Sequence, residues 1–172
     1  FVLANADDYY GPKSFQLAVD NLSAVNDNHG LLVAFELGKT LPENGSVTRG
    51  VCNVVNGRLA GIDETGDLNR RQDGSVGIGT DRGDLDPTTP VSMNLWAFDQ
   101  TIMDKLRTRW DVFYDLHADD PGSECLLPTE VGVLMTEDGF LVDVVASPET
   151  WTGLTNPDDL EDVRSIVATL RS

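Results

Sequence analysis

The chain has 172 residues, of which 40% are hydrophobic and 24% charged, so its length and composition suit one globular domain with a substantial core. It carries 29 acidic and 12 basic residues, which gives a net charge of −17. A surface of that sign repels nucleic-acid phosphates and anionic lipid, so we expect neither nucleic acid nor a membrane as a partner.

The chain opens with a short apolar run that leads into two adjacent carboxylates. Residues 1–4 are apolar, which is typical of a buried strand, and Asp7 and Asp8 follow where such a strand ends. In open α/β sheets, ligands bind beyond the carboxyl ends of the strands. Carboxylate oxygens suit Mg²⁺, usually together with substrate phosphates. The opening therefore predicts half of a metal–phosphate site, although such an Asp pair is also typical of a turn or a helix cap.

Apolar periodicity and turn residues predict strands and helices along the rest of the chain. The predicted helices cover residues 12–25, 101–116, 123–135 and 157–170. The predicted strands cover residues 31–35, 47–55, 58–62, 90–98 and 140–146, with a short extended piece at 151–155. Asn-Gly pairs predict hairpin turns at residues 44–45 and 56–57. Residues 65–89 lack periodicity and are assigned to a surface loop. The partial alternation favours a mixed, mostly α/β sheet in a single domain over residues 1–172.

Isolated histidines and tryptophans are given structural roles. His29 is expected in a turn, and His117 at the end of a helix, where a positive charge complements the helix dipole. Trp96 and Trp110 are expected in the core.

The two cysteines are also expected to be structural. Cys52 and Cys125 lie far apart in the sequence and match no metal or redox spacing, so we expect two reduced, partly buried thiols. No signal peptide or apolar run of membrane-spanning length is present in the sequence, and the expected location is the cytoplasm.

Five blocks of sequence follow one another in the order and rough spacing of a known family. The first is NADDYYG at residues 5–11, and the others cover residues 40–52, 90–98, 123–129 and 151–155. Together they resemble the sugar-nucleotide pyrophosphorylase-like nucleotidyltransferases, whose NADDFYG motif the first block looks like. The resemblance implies a Rossmann-like α/β fold of the type shared with GT-A glycosyltransferases. It also implies transfer of a nucleotidyl group from an NTP to a sugar-1-phosphate or related phosphorylated acceptor, with release of pyrophosphate.

For the metal, the resemblance implies Mg²⁺. Asp7 matches the family's metal-binding aspartate, which makes it the implied catalytic residue, and Asp8 is a further candidate ligand. The second metal carboxylate of many relatives falls near Thr155, where this chain has no carboxylate. Asp158 or Asp159 is a candidate replacement, although both also suit the first turn of a helix.

For the substrates, the resemblance implies contacts from residues of the same blocks and from Glu64, which lies between the second and third blocks. Asn5 lies in the first block. Gly50 and Glu64 match positions where related pyrophosphorylases touch the sugar, and Asn94 follows the next strand into the same cleft. Arg49 is assigned to the acceptor phosphate from its positive charge alone.

One part of the family's pattern has no counterpart in this sequence. Related pyrophosphorylases cradle the NTP phosphates with a glycine-rich loop followed by Arg and Lys, and no such segment occurs here. We therefore expect the C-terminal two-thirds of a nucleotidyltransferase, and whether this chain is itself an enzyme stays open. The alternatives are a non-catalytic domain that binds a sugar phosphate or nucleotide-sugar, and a GT-A glycosyltransferase. The nucleotide base, the sugar and the oligomeric state are not specified by the sequence.

Overall fold

The computed structural model describes residues 1–79, 83–153, 163–164 and 168 of the chain. Within them the strands are β1 (Val2–Leu3), β2 (Asp8–Tyr9), β3 (His29–Glu36), β4 (Val47–Val55), β5 (Arg58–Arg70), β6 (Val76–Ile78), β7 (Asp84–Leu85), β8 (Pro90–Ala97), β9 (Leu141–Ala146) and β10 (Thr152–Gly153). The α-helices there are α1 (Pro12–Asp20), α2 (Ile102–His117) and α3 (Leu127–Glu137), and two short 3-10 helices cover Leu22–Ala24 and Leu37–Lys39.

The main sheet closes on itself. Strand β8 pairs with β3, β3 with β9, β9 with β5, β5 with β4, and β4 again with β8, so these strands form a closed five-stranded barrel. Within this ring only β3 and β9 run parallel. The predicted Rossmann-like α/β sheet is therefore wrong. Antiparallel strands joined by hairpins need no crossover helices, and more of the described residues lie in strands than in helices.

Strand β5 helps to close the barrel because it pairs with both β4 and β9. Asn56 and Gly57 have φ values of 52° and 77°, as a two-residue hairpin turn requires, so β4 returns directly as antiparallel β5. Strand β5 then continues to Arg70 and pairs with β6, which pairs with β7. Residues 65–89, assigned from the sequence to a surface loop, thus contain the end of β5 and two further short strands. The assignment is corrected because Leu68 and Val76 are fully buried in this segment.

The core lies on both faces of β3. Leu31 and Val33 belong to one apolar cluster, while Leu32 and Ala34 belong to a second on the opposite face. The predicted strand over residues 31–35 is confirmed and extended at both ends. Alternate residues of one strand thus face two separate cores, which explains why its sequence is a continuous apolar run.

Other predicted elements differ from the structure in position or exposure. The helix predicted over residues 123–135 begins at Leu127, because Pro128 suits a first turn and not a helix interior. Trp96 is fully buried as predicted, but Trp110 is 51% exposed on α2, so its core assignment is wrong. The helix predicted over residues 157–170 lies mostly outside the described residues.

The opening strand is an edge strand. Strand β1 pairs with β8 through Val2 and Leu3, and both side chains are only partly buried, whereas the sequence predicts a strand covered on both faces. No helix of the described residues is long and apolar enough to cross a membrane.

Candidate functional site

One open cavity of about 270 Å³ is lined by seven of the residues that the sequence analysis proposed for metal or substrate binding. Its walls come from the β1–β2 connection, from β2, β4, β5 and β8, from the start of α3 and from the residue before β10. The lining residues are Asn5, Asp7, Asp8, Thr48, Arg49, Gly50, Glu64, Ser92, Met93, Asn94, Leu126, Pro128 and Trp151. Side chains that are distant in sequence therefore share one solvent-filled space.

The two adjacent carboxylates lie in different surroundings. Asp7 is exposed, while Asp8 is partly buried in β2, where it is in register with Gly153 of β10. The Oδ2 atom of Asp8 accepts a hydrogen bond from Asn5 Nδ2 at 3.0 Å and lies 3.0 Å from the Tyr10 hydroxyl. A Cβ added to Gly153 would lie 2.7 Å from Asp8 Oδ1, so a glycine there lets β10 pack against this carboxylate. Asp8 is therefore held in place, and Asp7 is open to solvent.

Tyr10 contacts one of the two carboxylates, Asp8, through its hydroxyl group. Its side chain is buried, and its hydroxyl also accepts the backbone N–H of Asn5 at 3.1 Å and lies 2.7 Å from the carbonyl oxygen of Met93. Burial raises the pKa of Tyr10 well above its ordinary value, and the charges of Asp8 and Asp7 act in the same direction. The hydroxyl thus keeps its proton at neutral pH and remains available as a donor.

Arg49 provides the positive charge of the cavity wall. Its guanidinium donates to the Thr40 carbonyl at 2.7 Å, to the Thr40 hydroxyl at 3.3 Å and to the Thr48 carbonyl at 2.9 Å. It also lies over the Trp151 ring at 4.9 Å from the centroid. Burial lowers the pKa of Arg49, while the carboxylates of Asp8 and Glu64 oppose that shift. The guanidinium is therefore fixed in orientation and partly desolvated, and such a cation attracts an anion strongly.

Strand register brings the next three lining residues together. Gly50 of β4 is paired with Glu64 of β5 on one side and with Ser92 of β8 on the other. A Cβ at Gly50 would lie 3.2 Å from Glu64 Oε1 and 2.9 Å from the Ile62 side chain. Glycine at this position therefore leaves the Glu64 carboxylate room beside the strand, as expected where a ligand or another chain segment approaches closely.

Asn94 projects from an irregularity in β8. The register with β3 shifts between the pairs Leu32–Trp96 and Ala34–Ser92, so β8 has more residues than its partner over this stretch. Asn94 lies in this bulge with φ of 61°, a left-handed conformation that asparagine tolerates better than most residues. Bulges are frequent next to active sites because they redirect a side chain. The geometry thus redirects Asn94 into the cavity.

Several lining residues had no assigned role in the sequence analysis. Trp151 was expected only in a short extended piece, yet its ring stacks with Arg49 and lines the cavity. Ser92, Leu126 and Pro128 are also in the lining. They lie within the sequence blocks that carry the family resemblance, and only this position in the sequence could have indicated that they line the site. Thr155 and the aspartates at 158 and 159 lie outside the described residues.

The side chains given structural roles stay outside this cavity. Cys52 is buried and Cys125 partly exposed, and both are free thiols. His29 was predicted to lie in a turn, but it is the first residue of β3, directly after the turn, and its Nε2 lies 3.0 Å from Asp143 Oδ2. His117 is in the last turn of α2, as predicted.

The donor set of the cavity fits Mg²⁺. This ion is usually bound through one or two carboxylates, with its other positions taken by water and substrate phosphates. Asp7 and Asp8 supply such a pair at the cavity wall. Across residues 1–79 and 83–153, no group of three or more His, Cys, Asp or Glu side chains is arranged to hold a metal.

The chain matches no protein-family model and no curated protein.

Proposed function

We propose that this chain carries the acceptor side of a Mg²⁺-dependent nucleotidyltransferase, which transfers a nucleotidyl group from an NTP to a sugar-1-phosphate or related phosphorylated acceptor. One observation supports the proposal above the others. Seven of the residues that the family resemblance or their charge selected for metal and substrate roles line a single cavity: Asn5, Asp7, Asp8, Arg49, Gly50, Glu64 and Asn94. The shared location of those side chains supports the proposal, and the fold class does not enter into it.

The reaction joins two anionic groups, so the site must offset charge. An oxygen of the acceptor phosphate forms a bond to the α-phosphorus of the NTP, and the bond from that phosphorus to the departing pyrophosphate breaks. When bound at Asp7 and Asp8, Mg²⁺ supplies neutralisation of the charge on both phosphates. Arg49, fixed by Thr40 and Trp151, offsets the charge of the acceptor phosphate.

The rest of the cavity suits a polyhydroxylated ligand. Glu64 offers carboxylate oxygens that accept hydrogen bonds from sugar hydroxyls, and the Asn94 amide can both donate and accept. Gly50 lies between Glu64 and Ser92 and has no side chain of its own, which leaves room beside the strand for the Glu64 carboxylate and the Ile62 side chain. The Glu64 carboxylate would thus contact the uncharged sugar, and the Arg49 guanidinium would contact its phosphate.

The test is pyrophosphate release by the natural full-length protein, measured with the common NTPs and a panel of hexose 1-phosphates in the presence of Mg²⁺. Asp7→Ala is expected to reduce turnover by about a hundredfold or more, because metal stabilisation of the transition state is worth several kcal/mol. Asp7 is exposed, so thermal unfolding of the variant is expected to match that of the wild type. Asp27→Ala is the matched control, since Asp27 is also exposed and lies outside the cavity. Turnover of Asp7→Ala at the wild-type rate would refute the metal assignment.

A binding role without transfer is the second candidate. It is favoured because the described cavity wall carries groups suited to the acceptor, namely Arg49, Glu64 and Asn94. Titration calorimetry with a hexose 1-phosphate and, separately, with an NTP distinguishes the two. Binding of the sugar phosphate alone, with no pyrophosphate release in any combination, would favour the binding domain.

A further inference from the structure

The Tyr10 hydroxyl has more hydrogen-bond acceptors than it has protons. The side chain is 1% exposed, and the oxygen lies 2.7 Å from the Met93 carbonyl oxygen and 3.0 Å from Asp8 Oδ2. Its lone pairs accept the backbone N–H of Asn5 at 3.1 Å. Because a phenol has one proton, it makes a full hydrogen bond to either Met93 or Asp8, and not to both.

These two acceptors lie on different strands, Asp8 on β2 and Met93 on β8. Asp8 is one of the paired carboxylates, whereas Met93 immediately precedes Asn94 in the bulge of β8. The contact to the Met93 carbonyl is the shorter one, at 2.7 Å against 3.0 Å, and the negative charge of Asp8 competes with it for the same proton. A cation on the carboxylate offsets that charge, so the proton is freed for Met93.

Resting on the proposed function, we propose that Tyr10 is a positioning residue that couples cation binding at Asp7 and Asp8 to the conformation of the bulge carrying Asn94. Cation binding directs the hydroxyl to the Met93 carbonyl, which fixes the bulge and with it the Asn94 side chain. Binding energies are reciprocal, so a ligand held by Asn94 strengthens cation binding by the same factor. Asp8 needs Tyr10 in turn, since hydrogen-bonding partners of metal ligands orient those ligands.

The test is a titration with Mg²⁺ alone, followed by ¹⁵N NMR of the backbone amides and the Asn94 side-chain amide. Three proteins are compared: the wild type, Tyr10→Phe and the control Tyr9→Phe. Tyr9 is the neighbouring residue of β2, and its hydroxyl forms no hydrogen bond within the described part of the chain. In the wild type, the signals of Asp7, Asp8 and Asn94 are expected to shift with one dissociation constant.

The variants are expected to differ sharply. Tyr10→Phe should raise the Mg²⁺ dissociation constant about tenfold or more, as is usual when a partner of a metal ligand is removed. It should also abolish the response of Asn94, while Tyr9→Phe behaves like the wild type. A merely structural role for Tyr10 would leave Asn94 responsive once Mg²⁺ saturates the site.

Asp8→Asn provides a second test that needs no metal. The side-chain amide has nearly the same shape as the carboxylate but no charge, so the hydroxyl proton is released to Met93. The Asn94 signals of this variant without Mg²⁺ should lie close to those of the Mg²⁺-saturated wild type. This test stays available if Tyr10→Phe fails to fold.

The outcomes separate this inference from the proposed function. Shifts at Asp7 and Asp8 with no shift at Asn94, or an Asn94 shift that persists in Tyr10→Phe, would overturn the coupling and leave the metal site intact. A wild type that shows no Mg²⁺-dependent shift at all would overturn the metal site and the coupling together. Asn94 signals of Asp8→Asn that match the metal-free wild type would also count against the coupling.

Discussion

The backbone conformation of Asn94 allows stability and ligand binding to be separated by two substitutions at one position. With φ of 61°, this residue lies in the left-handed region, where an L side chain is strained and glycine is not. Asn94→Gly removes the strain, and Asn94→Ala retains it. Both variants lose the side-chain amide that lines the cavity. The two should therefore differ in stability while sharing the same loss of binding.

The expected stability difference follows from three contributions. The left-handed conformation costs alanine roughly 1–2 kcal/mol relative to glycine. Glycine makes the unfolded chain more flexible, which offsets about 0.4–1 kcal/mol of that gain. Both variants lose the contact between Asn94 Oδ1 and Trp96 Nε1, which is long at 3.4 Å and cancels in the comparison. Asn94→Gly should thus be more stable than Asn94→Ala by about 0.5–1 kcal/mol, or about 1–4 °C in Tm for a domain of this length.

Urea denaturation measures the stability difference, and calorimetry with a hexose 1-phosphate and Mg²⁺ measures binding. Loss of the amide hydrogen bonds should weaken binding by about three- to tenfold in both variants. If the alanine variant were as stable as the glycine variant, Asn94 would not occupy the left-handed conformation and the bulge would be misdescribed. If stability differed as expected but affinity did not change, Asn94 would be a structural residue that does not touch the ligand.

Two further predictions concern charge and ionisation. Arg49→Lys keeps the charge but loses the flat guanidinium that stacks on Trp151 and donates to Thr40. Affinity for a hexose 1-phosphate, measured by calorimetry, should therefore fall about tenfold. An unchanged affinity would show that Arg49 does not bind the phosphate. Burial raises the pKa of Cys52 from its ordinary value of 9.0 to about 12. The unfolded chain therefore loses the thiol proton first, and the free energy of unfolding falls as pH rises from 9.0 towards 12. Cys52→Ala should reduce the slope of that fall in urea denaturation between about pH 8 and 10, and equal slopes in both proteins would contradict the burial of the thiol.

Local patterns in the sequence predicted the β4–β5 hairpin but not the closure of the sheet. Asn56 and Gly57 are adjacent residues, and the turn that they favour depends on their own backbone preferences. The barrel, by contrast, is closed by pairings between distant segments, such as Arg58 with Asp143 and Gly50 with Ser92. No residue near either pair signals its partner. A prediction built from neighbouring residues therefore gives the strands but not the way in which they join.

The extension of β5 was missed for a different reason. After Ile62 the sequence is mostly polar, and regular alternation of apolar and polar residues is lost. Pairing with β4 on one side and β6 on the other keeps this segment extended, with Leu68 fully buried as its apolar anchor. Tertiary contacts thus override a weak local preference, as is common for strands.

Part of the arrangement of the cavity depends on short segments that keep their own geometry, unlike the closure of the sheet. Asp7 and Asp8 reach the cavity through the turn that leads into β2, and Gly50 and Glu64 become neighbours as soon as the predicted hairpin forms in register. The contributions of Tyr10 and Asn94 could not be predicted in this way. One depends on a buried contact with the Met93 carbonyl from a distant strand, and the other on a bulge in β8. These two features join segments that are distant in sequence, so substitutions at Tyr10 and Asn94 test how those segments are placed relative to each other.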